Sequence, residues 1–278
     1  MTDITTKTVE IDKAPGRSRR SAATARKGSS AMPRVLSLII LVAFLLLWEV
    51  AADRWVPSLF ISRPSDVAAT LIDWTRDGTL WRNASATFSV AVVGFLLGGV
   101  AALAAGYVLG VSKLWAAVFE PFITALYSLP KVAIIPLLII WVGIGPKLGV
   151  AVSGLIVFLL LFYNTYYGIR EVSPKLLDAM RVMGGSRWDL AVRVRAPSAL
   201  VWVVVGLRIS MPQALVGVVT AEILAGSRGL GYLVSYNAAQ FNTAGTIGAI
   251  TVLLIIGVFL DYAIRIFSRR ALAWNETS

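Results

Sequence analysis

The side chains behind most enzymatic chemistry are missing from this 278-residue chain, which has no His and no Cys. That excludes disulfides, thiolate nucleophiles, His-ligated metals and a Ser-His-Asp triad. No G-x-x-x-x-G-K-[ST] phosphate loop occurs. The glycine-rich GSRGLGYLV beginning at Gly226 lacks both the spacing and the strand–helix setting of a dinucleotide fingerprint. What remains is a set of polar residues within or at the ends of apolar runs: Glu120, Lys131, Asn164, Arg208, Gln213 and Glu222. Such groups are costly in hydrocarbon and are expected to face a partner, a cavity or an interface. Arg208 lies about eleven residues past Pro197, roughly 16 Å into a helix at 1.5 Å per residue and close to a bilayer midplane. Two roles fit it: an ion pair with Glu222 or Glu120, or a positive wall for an anionic solute. Lys131 follows a proline kink and either reaches a water-filled cavity or an interface. Glu222 lies near the outer end of its run, where it can snorkel. Lys131, Asn164, Arg208, Gln213 and Glu222 are thus the polar candidates for a functional site within the apolar runs, with no metal and no cofactor expected.

The elements that must position them are membrane spans. The chain is 57% hydrophobic and only 15% charged, with a mean hydropathy of +0.76. A soluble domain carries about 25% charged residues. Apolar runs long enough to cross a bilayer fall at about 35–52, 86–111, 114–142, 149–167, 198–225 and 246–268. An all-α, polytopic fold with six transmembrane helices follows. Pro130 and Pro136 interrupt the third run, a kink or a pore-lining feature. Gly94 with Gly98, and Ala102 with Gly106, suit close helix packing in the second. The sequons at Asn83 and Asn275 are short enough to arise by chance.

The net charge of +11 would suggest nucleic acid if it sat in one soluble domain, but the Lys and Arg collect at the ends of the runs. Residues 1–33 read as a disordered basic tail lying near an anionic membrane surface, and 34–278 as the membrane domain. The tail, the turn at Lys113, the loop 168–197 and the C-terminal Arg265, Arg269 and Arg270 share one side. The loop 53–85, the turn at Lys147 and 226–245 lie on the other, where acids balance the bases in the first loop. The excess of positive charge makes the first side, with both termini, cytoplasmic.

The stretch SPKLLDAMRVMGGSRWDLAVRVRAP, Ser173 to Pro197, is basic and amphipathic between two spans. Ser173-Pro174 starts a short helix whose apolar stripe is Leu176, Leu177, Met180 and Met183. Gly184-Gly185 ends that helix, Ser186 with Asp189 resembles a capping box for a second, and Pro197 stops the unit. Three uses fit: a DNA-binding hairpin, which nearby spans would hold flat against lipid; a surface connector; or an element docking into a partner's groove.

These residues carry a resemblance. Asp178-Ala179-Met180, then Gly184, then Val194-Arg195-Ala196-Pro197 resembles the Glu-Ala-Ala…Gly…Ile-x-Leu-Pro loop of ABC importer membrane subunits, with matching spacing. LPKVAIIPLLIIWVGIG (129–145), FYNTYYGIREV (162–172) and AEILAGSRGLGYLV (221–234) are similar to segments of the nitrate/sulfonate/taurine-type importer permeases. The likeness covers roughly 35–275. It implies a type I ABC importer permease fold in a bacterial inner membrane, with 173–197 as a cytoplasmic coupling loop. It further implies a second copy of this chain and two ABC ATPase subunits docked at Asp178, Ala179, Met180, Arg181, Gly184 and Gly185. An extracytoplasmic solute-binding protein would dock against 53–85 and 226–245. The subunit itself would be non-catalytic, and nucleic acid is not an expected partner. The implied cargo is an alkanesulfonate, taurine or nitrate, or alternatively a thiamine-precursor pyrimidine. An ion-gradient-driven transporter is the competing class, although it would favour mid-membrane carboxylate pairs and an inverted repeat that are not seen.

Overall fold

The computed structural model describes residues 31–52, 54–55, 57 and 60–271. The expected tail lies outside these residues as far as position 30, as does Asn275. The chain divides into two compact units, Met1–Leu47 and Trp48–Ser278. In the first, the described residues belong to helix α1 (Ala31–Ala51), an apolar segment whose side chains from Val35 to Leu47 are exposed. In the second unit, Trp48 Nε1 donates to the Ser62 carbonyl at 3.0 Å. Glu49 accepts from the Ser65 hydroxyl at 2.8 Å, tying the end of α1 to the start of α2 (Pro64–Arg76). Every element among the described residues is helical.

The apolar runs fold as helix, the third with a break. The second is α3 (Thr79–Val111), which starts seven residues before its apolar run because Asp77 and Gly78 set its beginning. The Asp77 carboxylate accepts the Thr79 N–H at 2.8 Å. This backbone bond, then the Thr79 hydroxyl, hold its pKa below the usual carboxylate range. The fourth is α6 (Pro146–Arg170) and the last α11 (Thr243–Ala271). Four helical segments are each long and apolar enough to cross a membrane: Thr79–Val111, Pro146–Arg170, Arg187–Ala225 and Thr243–Arg270. The apolar stretch of α1, Val35–Ala51, is shorter.

The third run departs from a straight span. Helix α4 (Lys113–Ser128) gives way to a 3-10 turn at Lys131–Ile134 and then α5 (Ile135–Val142), with a bend of 92° between the halves. Pro130 has no N–H to continue the ladder and pushes Leu129 into extended backbone, ψ 134°. Pro136 sits in the first turn of α5, where a missing N–H costs nothing. This bent pair counts as a fifth span if it crosses as one unit.

Helix α6 is the most buried of the long helices and lies against α3 and α9 (Ala196–Ala225). The small residues expected to pack closely do so. A methyl added at Gly94 would sit 2.6 Å from Ser153 Oγ, and one at Gly98 would run into the Gly154 backbone. Hydrocarbon provides no hydrophobic drive between helices, so backbone approach of this kind holds the pair. Aromatic and aliphatic side chains fill the remaining space, with Tyr166, Leu161, Phe162 and Ala102 in one buried cluster.

Candidate functional site

The hairpin 173–197 is built from complementary ends. Helix α7 (Pro174–Val182) begins with proline in its first turn, but Ser173 makes no capping hydrogen bond, so proline's preset backbone starts the helix without the expected hydroxyl. Its C-terminus closes as a Schellman motif. Gly184 takes φ +80°, its N–H donates to the Arg181 carbonyl at 3.0 Å, and the Gly185 N–H donates to the Met180 carbonyl at 2.9 Å. The next helix, α8 (Arg187–Asp189), opens with the expected capping box. The Asp189 N–H donates to Ser186 Oγ at 3.2 Å, and the Ser186 N–H donates to Asp189 Oδ2 at 3.0 Å. Two turns that satisfy their own backbone make a stiff tip.

Beyond Asp189 the structure differs from expectation. Pro197 does not stop the unit. A π-helical turn, Leu190–Arg195, runs directly into α9, so Arg187–Ala225 is one continuous helical segment. The wider π turn suits the place where proline offers no N–H and its ring crowds the carbonyl four residues earlier.

The docking candidates are distributed along this tip. Asp178, Ala179, Arg181 and Gly184 are exposed, while Met180 and Gly185 are half-buried against each other. Asp178 and Arg181 pair at 2.8 Å in solvent, a contact of small energetic weight. Of the expected apolar stripe, Leu176 and Met183 are exposed and Leu177 half-buried. Within the hairpin, the largest apolar exposures are at Val182 (89%), Met183 (81%) and Trp188 (75%). Val182 and Trp188 were missed because neither falls on the periodic stripe; the signal was their position flanking the glycine turn.

The path candidates are not brought together. Lys131 lies at the bend with its ammonium 5.3 Å from the Tyr127 ring centroid. Asn164 of α6 donates to the Leu160 carbonyl at 2.8 Å and packs against Gly206 of α9. Gln213 is on the exposed face of α9, in line with Val205, Ile209 and Val216. Arg208 is half-buried, and its buried Nε has no partner among the described residues. It forms no ion pair with Glu222 or Glu120 among the described residues, which overturns that alternative.

Glu222 is 8% exposed and is engaged elsewhere. The Thr87 hydroxyl of α3 donates to both carboxylate oxygens at 2.9 Å. The Gly231 N–H donates to Oε2 at 2.8 Å. Thr87 Oγ1 also accepts the Leu230 N–H at 2.8 Å, and Asn83 Oδ1 accepts the Gly229 N–H at 2.8 Å. Asn83 and Thr87, four residues apart on α3, thus hold the strap that enters α10 (Leu230–Ala239). A methyl at Gly231 would stand 2.6 Å from the Val219 carbonyl, and Gly229 has φ +111°. The Gly-Leu-Gly spacing is therefore a backbone clamp around a carboxylate. In the sequence Asn83 stands out only as a sequon, and Thr87 not at all. Their shared helix face at the start of an apolar run was the available signal.

Residues 94–272 match the family model described as "Binding-protein-dependent transport system inner membrane component". The chain belongs to this family. It is accordingly a non-catalytic permease subunit of ABC importer type, a multi-pass protein of an inner-membrane transport system that works with an ATPase and a solute-binding protein. The permease is 28% identical over 242 residues to the aliphatic sulfonates transport permease protein SsuC of Bacillus subtilis, covering 86% of this chain and 87% of that one. It is 31% identical over 240 residues to the riboflavin transport system permease protein RibX of Chloroflexus aurantiacus (86% and 90%). To the taurine transport system permease protein TauC of Escherichia coli it is 27% identical over 233 residues (82% and 85%). Its fold is similar to a chain of the inward-facing MetNI methionine ABC transporter, with TM-score 0.62 and 20% identity over 71% of this chain and 98% of that one.

Proposed function

We propose that two copies of this permease form a path for a small anion, an alkanesulfonate, taurine or nitrate, delivered by a solute-binding protein and driven by two ATPase subunits docked on the hairpin tip. In this reading both termini and the hairpin are cytoplasmic, and 53–85 with 226–245 meet the binding protein outside. Asp178, Ala179, Met180, Arg181, Gly184 and Gly185 frame the tip, and Val182, Met183 and Trp188 enter the ATPase groove. The observation that carries the reading is the rigid hairpin with three apolar side chains exposed between two spans. ATP-driven closure of the ATPase pair would draw the tips together and tilt α9, which continues from the hairpin without a break.

Arg208 favours an anion, because its Nε has no partner among the described residues. Arg208 and Gln213, with Asn164 and Lys131, are the path residues of this proposal, whereas Glu222 acts on the outer strap. The riboflavin name among the relatives widens the cargo question, and a thiamine-precursor pyrimidine remains the second cargo class to test. Proteoliposomes holding the permease, its ATPase and its binding protein decide the matter. Uptake of taurine or an alkanesulfonate that needs an external binding protein and ATP inside the vesicle, on the ATPase side, and survives collapse of ion gradients is expected. Uptake that follows an ion gradient without ATP contradicts the proposal.

A further inference from the structure

We propose a binding site for a phosphate group at the inner end of the permease, between α7 and the ends of α3 and α6; it goes beyond the transport role, and its ligand is not the cargo. A cavity of about 420 Å³ opens there, bordered by Gly110 of α3 and Leu177 of α7, with Arg170, Arg181 and Arg195 in its lining. A liquid water takes up about 30 Å³, so the space holds a phosphate together with part of an ester.

The charge in this cavity is unbalanced. Its lining acid is Asp178, and Arg181 already holds that carboxylate at 2.8 Å. Arg170 and Arg195 have no carboxylate partner among the described residues. Two guanidiniums facing one cavity repel each other unless an anion lies between them, and their planar forks match phosphate oxygens in bidentate fashion. Arg170 is also held in place: its guanidinium lies 5.6 Å from the ring of Tyr166, a fully buried residue whose hydroxyl donates to the Ala116 carbonyl at 3.4 Å. Arg195 is half-buried at the end of the π turn leading into α9. The two cations come from separate elements that line one cavity beside the hairpin, and a phosphate there is placed to take hydrogen bonds from them.

The phosphate group has two sources, the headgroup of an acidic phospholipid and free phosphate. The cavity shares Asp178 and Arg181 with the hairpin, while Val182, Met183 and Trp188, the side chains proposed to enter the ATPase groove, are not among its lining residues. A ligand here fastens the hairpin to the span ends and stiffens the lever that the transport proposal requires.

The test uses the full-length permease in a phosphate-free maltoside detergent. Thermal unfolding is followed with added phosphatidylglycerol, with inorganic phosphate, and with chloride at matched ionic strength. A rise of about 5 °C is expected at roughly a hundred times the dissociation constant. A rise with phosphatidylglycerol alone assigns the site to a headgroup, and a rise with phosphate assigns it to the free ion. The response disappears in R170Q/R195Q, and native mass spectrometry shows phosphatidylglycerol retention falling about tenfold for each arginine removed. Should the double variant fail to fold, R195Q and the wild-type titration carry the test. No stabilisation of the wild type beyond chloride, or an unchanged response in the variants, overturns the proposal.

Discussion

Glu222 and Arg208 sit on one helix, and the structure gives them opposite circumstances. The carboxylate is surrounded by donors from α3 and the outer strap, so removing it leaves the Gly231 N–H buried and unpaired. Glu222→Ala is expected to lower stability by about 1–3 kcal/mol, the cost of orphaning a buried polar group. Thermal unfolding of the purified protein reads this, and an unchanged midpoint would remove the clamp from the account. Arg208 has a buried Nε with no partner among the described residues, so Arg208→Gln is expected to leave stability within about 0.5 kcal/mol or raise it. The same substitution is expected to depress uptake of an anionic cargo by about tenfold or more, on the scale of one lost charge-assisted hydrogen bond. A large loss of stability with unimpaired uptake would make the arginine structural. The sequence marked both residues by their cost in hydrocarbon, but it offered no way to see that Glu222 is satisfied by the Thr87 hydroxyl and the Gly231 N–H. Backbone N–H partners have no signature in residue type.

Among the elements, the hairpin was the most legible, because its signals are local. Gly184-Gly185 and Ser186…Asp189 predict their turns from neighbouring residues alone, and both form with the expected hydrogen bonds. The continuation through Pro197 was not legible, since a π turn depends on how much room a helix finds before the proline. Gly184→Ala forces an ordinary residue to φ +80° and is expected to destabilise the hairpin by about 1–2 kcal/mol. Its consequence is reduced ATPase stimulation by the loaded binding protein, while the permease keeps its helical circular dichroism. Trp188→Ala leaves the fold unchanged and weakens ATPase association. Unaltered association in both variants would reduce the hairpin to a surface connector.

For the whole molecule, length and composition were enough to place the apolar runs, because a membrane span is written as a block of some twenty residues. The 92° bend between α4 and α5 was legible only as a kink, its size being set by the turn between two prolines. Helices α2 and α10, inside the predicted outer loops, went unseen, since neither carries an apolar block of span length. The central claim concerns the two ends of this bundle: the hairpin tip meets the ATPase and the strap end does not. The chain contains no cysteine, so single cysteines can be placed without background. Cross-linking from Trp188→Cys, with Arg228→Cys at the outer strap as control, tests the claim directly in the assembled complex. A product joining permease and ATPase from position 188, and none from 228, is the predicted result. Equal yields from both, or none from 188 while the complex stays intact, would contradict it.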